Sequence, residues 1–532
     1  HGYHINSAPA PAPPRPPRGP RPGGGVSRLG SARRGIHGYR GPVSQRVRVC
    51  IVGAGFSGIA AAIELRRAGV TDVVIVDRGS AVGGAWRDNT YPGCACDVQS
   101  RLYELEVAPW PEWTRKFAGQ AEIRAYLESV VEIFGLAPLL QLDTEVLGAR
   151  WHDADDTWHV ETTRGDIVAD VLISACGGLT EPLTPQIPGA EHFRGQTMHT
   201  ARWDHGVDLR GQRVAVVGTG ASAIQVIPAL APEVGQLVVL QRTPPWVMPR
   251  RDRAVPHWYR TLLGSLPPLQ RSARELTSWA RETQLLAFTR QGPFRAMGER
   301  IARRHLETQV PDPRLRERLT PHYDMGCKRI LISDDYYPAL TRDNVTVAPG
   351  LARITETGVI DSDGTEHAVD VIVWATGFKV LEPPLADLVV GREGITLAEA
   401  FSRNGMSAYR GTAVAGFPNL YILQGPNTGL GHSSVVLMSE AQIDHVVPAV
   451  ASGWVMEVDE DRQRAYVDGI DRRLAATVWQ QGGCDSWYQN GHGRNVALWP
   501  GSTHAFARMM RSFDRGAYRT RRRKGDQRAT AA

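Results

Sequence analysis

Cysteine is scarce and dispersed. Six residues (Cys50, Cys94, Cys96, Cys176, Cys327, Cys484) occur among 532, at no framework spacing, so the sequence predicts neither structural disulfides nor secretion and points to a reducing cytoplasm. Long apolar runs are lacking too. Nothing approaches the roughly 18 consecutive apolar residues of a spanning helix, and no apolar stretch follows the N-terminal charges, so neither a transmembrane segment nor a secretory signal is expected. No His or Cys pair stands at an HExxH or CxxC spacing, and no metal is expected. Acids are absent from residues 1–45, which carry seven Arg, while residues 511–528 carry eight basic residues against Asp514 and Asp526. These ends outweigh the formal charge of +6, so the remainder is acidic, near −7. Basic ends can attract nucleic acid or an anionic membrane, but without a recognition module they read as solvated tails and no nucleic-acid partner is expected.

What the sequence does contain is ordinary globular material, 42% hydrophobic and 22% charged, in a chain long enough for two or three domains. Residues 1–45, with "APAPPRPPRGPRPGGG", cannot bury enough apolar surface to offset ordering and read as a disordered leader. Order is expected from Arg46. There "VRVCIVGAGFSGIAAAIELRRAG" followed by "VVIVDR" gives strand, glycine turn, helix and strand, and "QRVAVVGTGASAIQVIPALA" followed by "QLVVLQRTPPW" repeats that order. Between Pro256 and His322 the chain turns amphipathic and Arg-rich. Strand signals resume at "VDVIVWATGF", and "NLYILQGPNTGLGHSSVVLMSEAQIDHVV" supplies a further strand, loop and helix. The fold class is therefore α/β, with two Rossmann-like dinucleotide-binding domains interleaved in sequence and a helical insertion. The expected divisions are 46–190 plus 378–515, then 195–250 plus 327–377, with the insertion at 251–326 and a basic tail at 516–532.

In the first turn Gly53, Gly55 and Gly58 form GxGxxG directly after a strand, letting backbone N–H groups approach a pyrophosphate at a helix N-terminus. Asp77, 24 residues after Gly53, can accept hydrogen bonds from ribose hydroxyls, as for FAD or NAD. The second turn offers Gly218, Gly220 and Ser222, with Ala223 in the third glycine's place and Arg242 24 residues after Gly218. A guanidinium there suits the 2′-phosphate of NADPH, which an acid would repel; the plainer reading is an exposed arginine. Two such sites in one chain point to an FAD protein reduced by NADPH. A disulfide reductase would add a redox dithiol, but Cys94 and Cys96 are one residue apart in a loop and read as small packing residues.

"GGAWRDNTYPGCACD" resembles the pattern [AG]GxWxxxx[FY]P[GM]xxxD of the type I Baeyer–Villiger monooxygenases at every fixed position, and "FRGQTMHTARWD" (Phe193 to Asp204) is similar to their FxGxxxHxxxW[PD]. The resemblance spans most of residues 46–510. It implies an enzyme using FAD, NADPH and O₂ to convert a ketone into an ester or lactone through a C4a-peroxyflavin. "MGCKRILISDDYYPAL" resembles the surroundings of the family's active-site arginine, which implies that Arg329 keeps the peroxide deprotonated and stabilises the oxyanion of the adduct. Asp97 is then the acid that pairs with and holds Arg329, while Lys328, Arg242 and Thr243 recognise the 2′-phosphate. The plainer reading of Arg329 is a surface salt bridge. His199 is implied to couple the domains and is assigned a structural role. Trp86 is placed near the isoalloxazine and Trp499 in a C-terminal segment near NADP, each with an ordinary packing tryptophan as the alternative.

Asp88-Asn89-Thr90 and Gln99 depart from the better-known ketone oxidisers, and "GPNTGLGHSS" resembles the subgroup of aryl-ketone and broad-range enzymes. Ketone-versus-sulfide preference stays open at this point. Two other readings share the cofactor motifs: a flavin monooxygenase acting on sulfides or amines, and a pyridine-nucleotide flavin reductase or electron-transfer protein. Trp203-Asp204 and Arg329 weigh against the first, and the lack of a spaced dithiol against a disulfide reductase.

Overall fold

A computed structural model describes residues 45–285 and 292–524. The leader expected at 1–45 lies outside the described residues apart from its last position.

Apolar runs such as Val49–Val52 and Val73–Val76 mark strands buried on both faces, and they lie within the first sheet. Its strands are β1 (Gln45–Val52), β2 (Val73–Val76), β3 (Leu140–Gln141), β4 (Val146–His152), β5 (Thr157–Thr162) and β6 (Ile167–Ser174). β1 lies parallel between β2 and β6, with Val49 opposite both Val73 and Val171. Small residues let helix α1 (Phe56–Arg67) seat closely: Ala60, Ala61 and Ala62 are all buried. The second sheet is wholly parallel. It comprises β7 (Gln196–His199), β8 (Arg213–Val217), β9 (Gln236–Gln241), β10 (Val345–Pro349) and β11 (Val371–Trp374), in the order β10–β9–β8–β11–β7. Helix α2 (Ala223–Leu230) follows β8 and presents Ile224, Val226 and Ile227 to its core.

Interleaving follows from where the chain crosses. After β11 it runs back beside its own outward path, with Leu183 N donating to Gly377 O at 2.9 Å and Lys379 N to Glu181 O at 2.9 Å. It then adds β12 (Val389–Val390) beside β4 and β13 (Leu420–Ile422) beside β6. The helix at Val435–Ala451 closes on α1, where the Ser57 and Ser439 hydroxyls are 3.0 Å apart and Gln424 Nε2 donates to both.

The insertion contains helices α3 (His257–Ser265), α4 (Pro267–Glu282), α5 (Pro293–Gln309) and α6 (Pro313–Arg318). In α4 the usual amphipathic rule is inverted. Its buried residues are Gln270, Arg274 and Ser278, while Leu276 and Trp279 are 73% and 60% exposed. The return ends in α7 (Val435–Ala451) and α8 (Thr503–Arg511).

Two expectations are corrected. Cys327 and Cys484 form a disulfide, although their separation of 157 residues matches no framework; the C-terminal return brings them together. The tail expected to be solvated from 516 is ordered to Lys524. β15 (Tyr518–Arg521) pairs antiparallel with β14 (Val455–Val458), and Arg521 and Arg523 form ion pairs with Asp156 and Asp170, so the body's own acids hold the basic end.

Candidate active site

The first glycine turn opens into a cleft of about 200 Å³, bounded by Gly53, Gly55, Asp77, Trp86 and Gln424. Gly53 has φ 114°, and a side chain there would meet Ala175 O at 2.6 Å. At Gly58 a Cβ would stand 1.9 Å from Gly53 O, so α1 reaches the turn only without one. Asp77 ends β2 and accepts from Ala54 N (2.8 Å), Gly79 N (2.8 Å) and Arg87 Nη1 (2.6 Å). Its carboxylate thus braces the turn from within. Trp86 lines the same cleft and donates from Nε1 to Tyr103 Oη at 3.1 Å, meeting that ring edge-on. A cleft lined by the glycine turn and by the Asp77 carboxylate fits a dinucleotide.

The second turn repeats the strand-to-helix step. Gly218 has φ 113°, with Ala375 O 2.5 Å from where its Cβ would be, and Ser222 occupies the N-cap position of α2. Thr243 O accepts from Thr219 Oγ1 at 2.9 Å, tying the end of β9 to the turn. Lys328 arrives from the other side of the insertion. Burial, and then the charge of Arg242, pull its pKa below the usual lysine value, while Asp485 opposes them. Two cations brought within reach of each other suit a dianionic group such as a phosphate.

Arg329 meets Asp97 in an ion pair. Nε and Nη2 of the arginine donate to Asp97 Oδ2 at 3.0 and 2.6 Å. Asp97 sits in the loop after Cys96, which is fixed by its N–H to Ala118 O; Arg329 lies two residues before Leu331–Ile332, which pairs with Val247–Met248. Each partner is thus held by a different half. Burial alone would raise the Asp97 pKa, but the charge and hydrogen bonds of Arg329 hold it below the usual carboxylate value; Arg329 is raised, chiefly by Asp97. The pair is ionised at neutral pH.

His199, at the end of β7, accepts from Ala201 N through Nδ1 and lies edge-on to Phe378, where the chain crosses back. Burial lowers its pKa to about 4. A neutral ring at a crossing suits the structural role. Trp499 belongs to one apolar cluster with Cys327 and Tyr488, beside the Lys328-Arg329 segment. It is 3% exposed, donates to Ser502 O at 3.1 Å and packs edge-on against Phe506, as a packing tryptophan does. Burial raises the Cys94 thiol to about 11 and Cys96 further, which does not suit a redox dithiol. Two residues not singled out in the sequence also approach the ion pair: Arg281, at the end of α4, and Tyr488 are both within electrostatic reach of Asp97 and Arg329.

Residues 50–260 match the family described as pyridine nucleotide-disulphide oxidoreductase. A Baeyer-Villiger monooxygenase of Streptomyces coelicolor is 47% identical over 90% of this chain and 94% of its own length. Another of that name, from Pseudomonas aeruginosa, is 43% identical over 89% and 92%. Among solved structures, a steroid monooxygenase bound to NADP superposes with TM-score 0.77 at 30% identity, covering 87% of this chain and 97% of the other. The cyclohexanone monooxygenase of Rhodococcus sp. Phi1 bound to NADP+ gives 0.80 at 26%, covering 90% and 99%.

Proposed function

This chain belongs to the Baeyer–Villiger monooxygenases, and from that premise we propose that Arg329, held by Asp97, is the catalytic cation of an FAD-, NADPH- and O₂-dependent conversion of a ketone into an ester or lactone. The observation that carries the assignment is the ion pair itself. It joins a loop of the first half to the segment that follows the insertion. In this reading residues 46–190 with 378–515 hold FAD, through Gly53, Gly55, Gly58, Asp77 and Trp86. Residues 195–250 with 327–377 hold NADPH, through Gly218, Gly220, Ser222, Arg242, Thr243 and Lys328.

Bound FAD, once reduced by NADPH, supplies the oxygen transfer; the protein supplies charge and position. Asp97 accepts two N–H bonds on one oxygen, which fixes the guanidinium plane. Arg329 keeps its proton at any working pH and offers permanent positive charge where negative charge develops on oxygen. His199, neutral above about pH 4, packs at the crossing without adding a charge. No helix among the described residues is long and apolar enough to cross a membrane; a cytoplasmic location is part of the proposal, because the enzyme draws on NADPH, and fractionation tests it.

The test is ester formed per NADPH consumed with a panel of ketones, for the wild type and for Arg329→Ala and Arg329→Lys. Loss of ester by a factor of about 10² or more in Arg329→Ala, with FAD retained, is expected for a cation acting on developing charge. Equal ester yields in all three proteins would overturn the assignment.

A further inference from the structure

We propose that Arg281 and Tyr488 form a carboxylate-recognition subsite beside Arg329, so that the preferred ketones carry an anionic group. This rests on the reading of Arg329 as the reacting centre. The argument begins with the inverted helix α4. Gln270, Arg274 and Ser278 occupy its inner face, and one further turn along the same stripe brings Arg281 inward. Arg274 has counter-charges of its own, although its Nε too lacks a hydrogen-bond partner: it donates to Glu440 Oε2 at 2.7 Å and Glu104 O at 3.2 Å, with Glu106 at 3.6 Å. Arg281 has no carboxylate within ion-pair distance among the described residues. Its Nε is buried with no hydrogen-bond partner among the described residues, and the acid whose charge it feels is Asp97, already bound by Arg329.

Two guanidinium groups therefore lie in the field of one carboxylate, which is bonded to Arg329 alone. Neither can shed its proton, and a buried cation without a counter-charge is costly, so the arrangement favours an anion arriving with a ligand. The segment 286–291 that follows α4 contains no Asp or Glu that could supply that charge. The position is held firmly, since the neighbouring Glu282 accepts from Thr503 N at 3.1 Å and from its hydroxyl. Tyr488 adds a second unused donor. It is 1% exposed, its hydroxyl has no partner among the described residues, and it too faces Arg329 and Asp97. A charged donor and a neutral one, on separate elements, match the two oxygens of a carboxylate. The cations assigned to the NADPH phosphate are a different set: Lys328 feels Arg242 and Asp485, not Arg281.

The experiment compares 5-oxohexanoate with its neutral methyl ester on the FAD-loaded enzyme, for the wild type, Arg281→Gln, Arg281→Lys and Tyr488→Phe. Wild type is expected to favour the acid. The ratio of kcat/KM for acid to that for ester falls by about 10-fold or more in Arg281→Gln, less in Tyr488→Phe, and is partly kept in Arg281→Lys. A second readout needs no turnover: the Kd of 5-oxohexanoate, from the change in flavin absorbance without NADPH, rises in parallel. An unchanged ratio and Kd would overturn the subsite, and so would a rise confined to the KM for NADPH, which would give Arg281 to the cofactor. A variant that fails to fold loses its FAD and is recognised by that, and Arg281→Lys then decides. If no ketone yields ester even in the wild type, the Baeyer–Villiger assignment of Arg329 fails, while the Kd series still judges Arg281.

Discussion

The two glycine turns are built on one plan and differ at its third position. At Gly58 a Cβ would lie 1.9 Å from Gly53 O, whereas the second turn carries Ala223 there, fully buried and accommodated. The middle positions differ as well: a Cβ on Gly55 would meet Gly84 at 3.7 Å, but one on Gly220 would meet nothing within 4 Å. The first turn is closed against its own protein and the second is open. A closed turn suits a cofactor that stays bound, and an open one suits a cofactor that exchanges with every cycle.

The largest effect expected from this contrast is that of Gly58→Ala. The methyl group has only backbone to displace, at a cost of roughly 3 kcal/mol or more, so the variant is expected to purify without FAD or to aggregate. Flavin absorbance per protein measures it. Full flavin content would show that the first turn is no tighter than the second. Next in size is Arg242→Ala. Losing one of two phosphate-directed cations is expected to raise the KM for NADPH by about 10- to 100-fold with little change for NADH, since a charge-assisted hydrogen bond is worth about 1.5–3 kcal/mol. Equal losses with both nucleotides would remove the 2′-phosphate from the account.

The halves also carry opposite pH liabilities. Glu104, in the first half, is fully buried with its carboxylate bonded by Trp113 and Trp110, and burial raises its pKa to about 7. As pH rises from about 4.5 to 7 the unfolded chain loses that proton first, so stability falls across this window by up to roughly 3 kcal/mol. His199, in the second half, is lowered to about 4. As pH falls from 6.5 towards 4 the unfolded chain gains the proton first, and stability is lost in that direction, again by up to roughly 3 kcal/mol. Thermal melting from pH 4 to 8 should lose the alkaline slope in Glu104→Gln and the acid slope in His199→Asn. Identical slopes in all three proteins would refute both assignments.

Both turns were legible in the sequence because their chemistry is local: strand, glycines, helix and a charged residue at a fixed offset. Arg329 and Asp97 were legible only through resemblance, since 232 residues separate them and nothing periodic marks either. The disulfide between Cys327 and Cys484 was misjudged for the same reason of distance. Arg281 was hidden by a sound rule used where it fails. Hydrophobic periodicity places Leu269, Leu276 and Trp279 inward and the arginines outward, but α4 is held by Arg274 on Glu440 and Glu104, and polar anchors reverse the helix.

The smallest effect belongs to Gly220→Ala, and it sharpens the contrast most. Nothing in the turn obstructs the added methyl group, so flavin content and melting temperature should match the wild type. The KM for NADPH should rise only a few-fold, about 1 kcal/mol or less, because a methyl beside the pyrophosphate costs close approach but no backbone bond. Stopped-flow reduction by NADPH, run beside flavin content for Gly58→Ala, separates the two turns directly. If Gly220→Ala lost flavin as Gly58→Ala is expected to, the second turn would be supporting the first cofactor's fold, and the division between a closed and an exchanging site would not hold.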